Sequence, residues 1–577
     1  MRTAHGTNIG EGRVNDDLIA YHEARARGGV GLTILEAASV HWSDTGTLRI
    51  HDESAIGDYQ RLMERIEPTG MRVFQQLGHL GFAGVPMDNS APWSASNGPG
   101  PVPGPIHAMT TDEIAEVTEA WVRAATYCAE GGLDGVEIHM AHGFLLQEFL
   151  SPTTNRRTDQ YGGDWDNRMR FTWEVMRAVR AAVGPDFVVG VRTGAEAIDD
   201  GLSEHDCAEV IRELEAAGLI DYVNVSYGSI WRHYKIIGGM IESAGYELPT
   251  SEVVTKVSQL PTIVTGRFRT LAEIDDVIDR GVADLVGMTR AHIADPDIVN
   301  KTMEGRAAEV RPCIASNDGC IGGLRRGRLS CAVNPSVGRE LTHRVDPAME
   351  PGHIVVIGGG PAGGETARVA AERGHTVTVL EQGSVVGGAL LDAGRLPNRA
   401  PIADIASWHH RELTRLGVDL RLGVTATVEL VESLAPDVVV VATGAAGGQI
   451  PDTVPERAVV VDRHGGYEAL GIAEWLVDQG ATVAMTSTQG WGKRVRLDNI
   501  VDPTLDRLRD RGVDVRAGEI EQIEQGETPV IIEKMPRVGL VSDLKAAGFD
   551  VRVVGDAGRL GGTMEAIHSG NAVGRAV

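Results

Sequence analysis

The chain of 577 residues has few cysteines, few aromatic residues and no long hydrophobic run. Five cysteines over this length predict no disulfide framework. No stretch of about 18 apolar residues occurs and no secretory leader pattern precedes the first domain, so we expect no membrane span and a cytoplasmic location. Acidic residues outnumber Lys and Arg by 80 to 54, and the net charge of −26 argues against nucleic acid or an anionic membrane as the main partner.

The length and the 72 glycines indicate two or three domains with many tight turns. In the first half, short β-rich runs alternate with amphipathic helical patterns, which is typical of a parallel sheet with crossover helices. The runs are 29–37, 71–78, 135–141, 187–193, 222–226, 261–266 and 283–290. With the short opening segment RTAHGT, they predict an eight-stranded TIM (β/α)8 barrel over residues 1–304, whose first strand is clipped.

A linker rich in Cys, Gly and Arg follows at 305–350, and a second α/β region begins at residue 351. Its nested pattern predicts one dinucleotide-binding domain over 351–455 and 546–577, interrupted by another unit of the same kind over 456–545. The expected fold class is therefore α/β, an N-terminal barrel followed by Rossmann-like domains of the FAD/NAD(P) type.

A dinucleotide fingerprint opens this second region. The strand pattern IVVIG runs into Gly358, Gly360 and Gly363 and then into a helix, and Glu381 ends the next strand. The glycines permit the tight turn, the close approach of a pyrophosphate and helix–strand packing, in that order, and the acid suits a ribose hydroxyl. Strand, helix and acid all fall at the expected places, which predicts a bound dinucleotide.

Two later segments resemble FAD-domain signatures of pyridine-nucleotide-disulfide-type flavoproteins. They are 438–445, which contains Thr443 and Gly444, and 553–558, in which the resemblance implies that Asp556 contacts the flavin's ribityl or pyrophosphate part. The inserted unit instead carries Asp462 and bulky residues where a GxGxxG would stand, so NAD(P)H binding there is left open.

The barrel carries His139-Met-Ala-His142-Gly-Phe144 at a strand end, followed by LLQEFLSPTTNRRTDQYGGDWDNRMRF. This stretch resembles the old yellow enzyme family, especially its large members of the 2,4-dienoyl-CoA reductase and trimethylamine dehydrogenase type. The resemblance implies FMN at the C-terminal ends of the barrel strands, where barrel active sites lie. It also implies non-covalent FMN, because Gly6 stands where trimethylamine dehydrogenase has a linking cysteine.

The resemblance assigns FMN-binding roles to polar and small residues at the strand ends. Arg192 would supply the cation that stabilises a reduced flavin, Gln76 would bond the ring edge, and a Glu36-Ala37 turn would pass close to the ring. The phosphate would be held by Gly266, Arg267, Gly287 and Arg290. In the family, a pair such as His139 and His142 anchors a carbonyl or anionic substrate group. A metal role for the pair would need a third ligand, and none is obvious.

Two positions depart from the family pattern. Phe144 stands where alkene-reducing members have a proton-donating tyrosine, and phenylalanine cannot donate a proton. Either Tyr227, His233 or Tyr234 in the next strand-end loop takes that role, or the reaction needs no such proton. The relatives' four-iron cluster has four thiolates, whereas this chain has Cys313, Cys320 and Cys331 with Ser316 at the second position. A serine- or water-ligated cluster, a three-iron form and no cluster all remain open.

The sequence thus predicts hydride exchange between a small organic substrate and FMN, with electrons relayed through an iron–sulfur centre to the FAD/NAD-type half. In the reductive version, NAD(P)H drives reduction of an activated C=C bond, as in enoate or dienoyl-CoA reduction. In the oxidative version, an amine is dehydrogenated or N-demethylated and electrons leave to a carrier such as an electron-transferring flavoprotein. A third hypothesis is a non-catalytic electron-transfer subunit. We also expect self-association into a homo-oligomer.

Overall fold

The computed structural model describes residues 1–98, 100, 103–518 and 521–577. Seven parallel strands of the first half form one sheet, and each corresponds to one of the seven runs predicted from the sequence. We number them as barrel strands 1 to 7: Leu32–Ser39, Arg72–Gly78, Gly135–Met140, Val188–Ala195, Tyr222–Tyr227, Thr262–Val264 and Leu285–Val286. A two-residue strand, Leu48–Arg49, pairs with the end of strand 1.

The first residues of the chain close the barrel. The Arg2 N–H donates to Leu32 O and Arg2 O accepts from Ile34 N, both at 2.9 Å, so this segment pairs with strand 1. On its other side, the Met1 amino group donates to Val286 O at 3.2 Å, next to strand 7. The short opening segment therefore takes the place of the clipped strand between strands 1 and 7.

Amphipathic helices surround the barrel and cover its outer face. Several begin at a side chain that accepts a backbone N–H, as at Thr110, Asp164, Ser203 and Thr270, which satisfies an otherwise unpaired donor of the first turn. Buried residues from neighbouring helices interlock, as in the edge-to-face contact between Trp121 and Phe171. The helices of this half are Asp16–Arg27, Ser54–Ile66, Thr111–Glu130, Leu145–Leu150, Trp165–Val183, Glu204–Ala216, His233–Ile236, Leu248–Thr255, Leu271–Asp279, Thr289–Ala294 and Ile298–Met303.

The second half contains two further parallel sheets. Its five-stranded sheet has the spatial order Asp419–Leu422, Thr376–Glu381, His353–Ile357, Val438–Val441 and Val551–Val553. Its four-stranded sheet has the order Asp514–Val515, Thr482–Ser487, Arg457–Asp462 and Thr528–Ile532. Because the second sheet falls in sequence between two neighbouring strands of the first, the chain leaves one sheet and later returns to it. The domain boundaries given above stay predictions.

The helices of this half pack on the two sheets and on the Cys-rich linker. They are Ile321–Arg325, Pro361–Glu372, Ala389–Arg395, Pro401–Arg415, Val428–Leu434, Glu468–Asp478, Val501–Asp510, Gly539–Ala546 and Thr563–Ala576. None of the helices in the described part of the chain is both long and apolar enough to cross a membrane. The predicted fold class, a TIM barrel followed by Rossmann-like sheets, is confirmed.

One local prediction was wrong. The sequence suggested a turn at Glu36-Ala37, but strand 1 continues to Ser39. Leu35 pairs with Gln75 and Ala38 with Leu77, so strand 1 has one more residue than strand 2 across this stretch. Such a bulge bends a strand and redirects its side chains without ending it. It lies opposite Gln76, at the end of the barrel where the predicted site residues gather.

Candidate active site

His139 and His142 form a hydrogen-bonded pair at the carboxyl end of barrel strand 3. His139 Nε2 lies 3.1 Å from His142 Nδ1, and His142 Nε2 lies 2.7 Å from Ser226 Oγ on strand 5. The Ala141 N–H donates to His139 Nδ1 at 3.2 Å. Because Nδ1 accepts that bond, the proton of a neutral His139 is on Nε2. His139 Nε2 then donates to His142 Nδ1, and His142 Nε2 donates to Ser226 Oγ.

Arg192 is the positive charge beside this pair. Its Nη2 donates to Ser226 Oγ at 3.1 Å, and its Nε is buried without a hydrogen-bond partner among the described residues. Burial and then the Arg192 guanidinium lower the pKa of His139 and of His142 well below the usual range. Both imidazoles are therefore neutral at neutral pH, and the positive charge of the site belongs to Arg192.

A buried carboxyl lies on the same barrel face as His139. Glu137 is 0% exposed, and its Oε1 accepts from Gln76 Nε2 at 2.6 Å. Its Oε2 accepts from Asn224 Nδ2 at 2.7 Å and from the Tyr222 hydroxyl at 3.3 Å. The predicted ring-edge residue Gln76 is thus tied into the barrel centre, together with residues of strand 5.

The predicted phosphate-binding residues lie at the ends of strands 6 and 7. Gly266 and Arg267 have positive φ values of 151° and 63°, and Arg267 Nε and Nη1 are buried without a partner among the described residues. A Cβ on Gly287 would lie 2.6 Å from Thr3 Cγ2, so any side chain there would displace Thr3. Unpaired guanidinium donors beside a glycine turn suit a phosphate, and these residues fit FMN.

Arg290 and Glu36, also predicted to bind FMN, make other contacts in the protein. Arg290 Nη1 donates to Gly238 O at 2.7 Å and to Asn317 Oδ1 at 2.6 Å. Glu36 is buried and accepts from the backbone N–H of Thr7 at 2.5 Å, so its carboxylate holds the opening segment. Ala37 lies beside it in the bulge. The FMN contacts of all these residues stay predictions.

The sequence proposes three residues to replace the missing tyrosine: Tyr227, His233 and Tyr234. His233 lies close enough to the histidine pair to contribute to the lowered pKa of His142, and Tyr234 is half-buried in the helix His233–Ile236. Tyr227 ends strand 5 and is half-buried. His233 Nδ1 pairs with Asn499 Nδ2 at 2.6 Å, so its ring is bonded to the C-terminal half. Phe144 instead contacts both imidazoles, with ring centroids 5.0 Å from His139 and 6.0 Å from His142.

A cavity of about 230 Å³ opens at the same end of the barrel. Its walls include Phe82, Ile198 and Trp231, which follow strands 2, 4 and 5 within a few residues. The Phe82 and Trp231 rings are 5.5 Å apart and tilted by 47°. Polar side chains, among them Asn97, Thr153 and Arg156, line the rest of the cavity. A cavity with aromatic walls and a few polar groups suits a small organic substrate.

The predicted cluster ligands of the Cys-rich segment are three cysteines and one serine. Cys313 and Cys320 are half-buried, Cys331 is buried, and all three are free thiols. Burial raises the pKa of Cys320 to about 11 and that of Cys331 to about 12, which favours the protonated thiols. Over the described ranges, no group of three or more His, Cys, Asp or Glu is placed to hold a metal ion. With Ser316 in the remaining position, the residues present do not match a four-thiolate cluster.

The glycine fingerprint of the second half has the shape of a dinucleotide cradle. A Cβ on Gly358 would lie 2.5 Å from Ala442 O, and one on Gly363 would lie 1.9 Å from Gly358 O. Gly360 caps the N-terminus of the helix Pro361–Glu372, where a phosphate is favoured. Glu381 accepts from Gly359 N at 2.6 Å, at the rim of this turn. These residues fit the pyrophosphate and ribose of a dinucleotide such as FAD.

The other predicted FAD-site residues lie where the chain crosses between the two sheets. Thr443 Oγ1 donates to Arg537 O at 2.5 Å, and Gly444 O accepts from Arg537 N at 2.9 Å. Asp556 accepts from Gly561 N at 2.8 Å and from Lys534 Nζ at 3.3 Å. Their contacts to a bound FAD stay predictions.

The corresponding turn of the inserted unit is occupied by its own side chains. Asp462 Oδ1 accepts from His464 N at 2.9 Å and from Gly465 N at 2.7 Å. A Cβ on Gly466 would lie 2.3 Å from Glu468 Oε2, so a second carboxylate lies against the same loop. Glu468 is itself paired with Lys534 Nζ at 2.8 Å, so what opposes a pyrophosphate at this turn is the pairing of its backbone donors with Asp462.

Sequence reasoning missed Glu137, Ser226 and Asn224. The sequence does contain a signal for Glu137. Side chains two residues apart in a strand share a face, so Glu137 lies on the same face as His139. Ser226 and Asn224 carry no such signal. They belong to the site only because strand 5 pairs beside strand 4 with Arg192 opposite Asn224.

Comparison with known proteins extends over both halves. Residues 3–309 match the NADH:flavin oxidoreductase / NADH oxidase family, and residues 352–461 match the pyridine nucleotide-disulphide oxidoreductase family. An NADH oxidase of Thermoanaerobacter brockii is 33% identical over 97% of this chain and 94% of its own length. The N,N-dimethylglycine/sarcosine dehydrogenase of Chromohalobacter salexigens is 35% identical over 82% of this chain and 69% of its own.

Among solved structures, a 2-naphthoyl-CoA reductase in complex with 2-naphthoyl-CoA is similar over the whole length. Its TM-score is 0.92 at 25% identity, covering 100% of this chain and 97% of that chain. The similarity thus extends across the barrel, the linker and both sheets of the second half. The similar proteins include one named as a reductase and one named as a dehydrogenase.

Proposed function

The chain belongs to the NADH:flavin oxidoreductase / NADH oxidase family of flavin-dependent enzymes, and from that premise we propose that it oxidises a small amine, with an external carrier accepting the electrons. The cofactors would be FMN in the barrel and FAD or a related dinucleotide in the second half. The carrier would be a protein of the electron-transferring flavoprotein type rather than NAD(P)+.

One observation carries this direction. In the inserted unit, the N–H groups of His464 and Gly465 that could bind a pyrophosphate already bond to Asp462 Oδ1. A dinucleotide would have to break both bonds and also approach Glu468. Because Asp462 Oδ1 would be left buried without either of its two backbone donors, nicotinamide binding at the turn is disfavoured.

The barrel residues support the same direction. When bound, FMN supplies a two-electron acceptor for a C–H bond of the substrate. Neutral His139 and His142 suit an uncharged amine better than an anion, since neither ring carries positive charge at neutral pH. Arg192 stabilises negative charge at the site, and the ring of Phe144 excludes water from the histidine pair.

Phe144 cannot supply the proton that the reductive chemistry requires. Reducing an activated C=C bond needs a hydride at one carbon and a proton at the other, and Phe144 has no proton to give. Oxidising an N-methyl amine needs no such proton: the C–H bond is broken, two electrons leave with the hydride, and water hydrolyses the resulting iminium to an amine and an aldehyde.

Anaerobic mixing of the flavin-loaded enzyme with candidate donors tests the proposal. We expect the flavin absorbance to bleach with a secondary or tertiary methylamine and to stay unchanged with NADH or NADPH. Asp462→Gly is the informative companion variant, because it frees the two N–H donors while the barrel stays unchanged. Rapid bleaching of the wild-type enzyme by NADH or NADPH, without response to any amine, would overturn the oxidative assignment.

Reduction of an activated C=C bond is the second candidate. The similarity to a 2-naphthoyl-CoA reductase over 100% of the chain favours it, and so does the full-length relative named NADH oxidase. In that case NAD(P)H would reduce the barrel flavin and a group other than residue 144 would donate the proton. Neither candidate function depends on the iron–sulfur relay or the homo-oligomer predicted from the sequence, and both stay predictions.

A further inference from the structure

Glu137 is a buried carboxyl in the barrel centre for which the proposed reaction has no chemical role. Strand alternation places it on the interior face, two residues before His139. Its neighbour in register on strand 4 is Gly190, whereas His139 lies opposite Arg192. A Cβ at position 190 would lie 2.0 Å from the Tyr222 ring, so the glycine makes room for Tyr222 to reach Glu137.

The carboxylate determines which way the Gln76 amide points. An ionised carboxylate only accepts hydrogen bonds, so the NH2 end of Gln76 must face Glu137 Oε1, which lies 2.6 Å away. The amide oxygen of Gln76 is therefore directed away from Glu137, as an acceptor. An acceptor is what the ring-edge N–H of a flavin requires, so the orientation of Gln76 depends on a negative charge at position 137.

The same carboxylate offsets part of the Arg192 charge. Three donors, from Gln76, Asn224 and Tyr222, surround its two oxygens and favour the ionised form. Burial opposes ionisation and raises the pKa of Glu137, while the Arg192 guanidinium lowers it. Arg192 and Glu137 thus form a charge pair without direct contact, and the field that Arg192 exerts on a reduced flavin is weakened by the anion behind it.

We propose that Glu137 is a positioning residue that orients the Gln76 amide and lowers the reduction potential of the FMN in the barrel by offsetting Arg192. The inference rests on the proposed function, because it requires FMN in the barrel. It adds to that function a residue that tunes the flavin without touching the substrate. The predicted phosphate residues, Arg267 and Arg290, belong to other strand ends and are not part of this tuning.

Glu137→Gln tests the proposal, because it keeps the size of the side chain and removes the charge. We expect the midpoint potential of the bound FMN, measured by anaerobic dye-coupled titration, to shift to a more positive value. Without the anion, the reduced and negatively charged flavin is stabilised by an uncompensated Arg192. A control is Glu148→Gln, which makes the same substitution at a buried carboxyl that bonds to Ser94 and to the backbone of Phe82 and Ala95. Burial raises the pKa of Glu148 to about 8, so this variant changes a buried carboxyl without removing a negative charge at neutral pH. Its potential should equal that of the wild type.

An unchanged or more negative potential in Glu137→Gln overturns the inference, as does an equal shift in Glu148→Gln. Should Glu137→Gln fail to fold, Glu137→Met gives the same test, because it removes the same charge and leaves no buried amide to be satisfied, and its potential should shift in the same direction. A wild-type chain that takes up no FMN overturns the proposed function and this inference together. Bound FMN with an unmoved potential overturns the inference alone.

Discussion

The ring of Phe144 packs edge-on against the imidazole of His139, with centroids 5.0 Å apart and ring planes at 69°. The contact places an apolar edge where the family resemblance expects a hydroxyl. The two imidazoles that Phe144 contacts are hydrogen-bonded to each other at 3.1 Å. Phe144 therefore offers the histidine pair a ring contact and no proton donor.

Phe144→Tyr should restore a proton donor at this position. We expect the variant, with its FMN reduced by dithionite, to reduce an activated enone at least tenfold faster than the wild type, since a positioned general acid contributes about 100- to 10,000-fold. Single-turnover reoxidation of the flavin by the enone measures the gain. Phe144→Leu is the control, because it changes the ring without adding a hydroxyl. A gain in both variants would assign the effect to altered packing.

Arg267→Gln should weaken the binding of FMN. The Nε and Nη1 donors of Arg267 are buried without a partner among the described residues, so a phosphate would satisfy them. Loss of hydrogen bonds to a charged group corresponds to about 1.5–3 kcal/mol, or roughly a ten- to hundredfold rise in Kd. Equilibrium binding of FMN to the apoprotein measures it. Riboflavin, which lacks the phosphate, should bind wild type and variant equally, and an equal loss for both ligands would contradict the assignment.

Ser316→Cys should increase the iron content of the purified chain. The substitution adds a fourth thiol to Cys313, Cys320 and Cys331, which completes the ligand set of a four-iron cluster. Iron and acid-labile sulfide, measured per chain after anaerobic reconstitution, should rise towards four of each in the variant and stay lower in the wild type. Cys207→Ser, a change at a buried helix cysteine remote in sequence, should leave the iron content unaffected. A wild type already holding four irons would contradict the prediction.

The free energy of unfolding should fall with rising pH in part because of Glu148. Burial raises the pKa of Glu148 from 4.5 to about 8, so the native state binds this proton more tightly than the unfolded chain does. Stability from this group is full below the unfolded pKa and is lost as the pH rises towards about 8. Urea denaturation at several pH values should show a shallower fall in Glu148→Gln than in the wild type. Parallel curves would show that Glu148 does not contribute.

Local patterns in the sequence determined the architecture and the cradle of the second half. Strand and helix periodicity arise from neighbouring residues, so the seven barrel strands could be predicted from short runs. The roles of Gly358 and Gly363 could also be predicted, because the turn that needs them spans only a few residues. The bulge at Glu36-Ala37 could not, since it is defined by the pairing of strand 1 with strand 2.

Tertiary structure alone decided the relations between distant residues. Glu137, Gln76 and Asn224 come from three strands, and only the closure of the barrel brings their side chains within hydrogen-bonding distance. His233 follows barrel strand 5 in the sequence, and only the tertiary structure brings its ring within hydrogen-bonding distance of Asn499 in the other half. A hydrogen bond depends on distances of a few tenths of an ångström between groups far apart in the chain, and no sequence pattern contains that information.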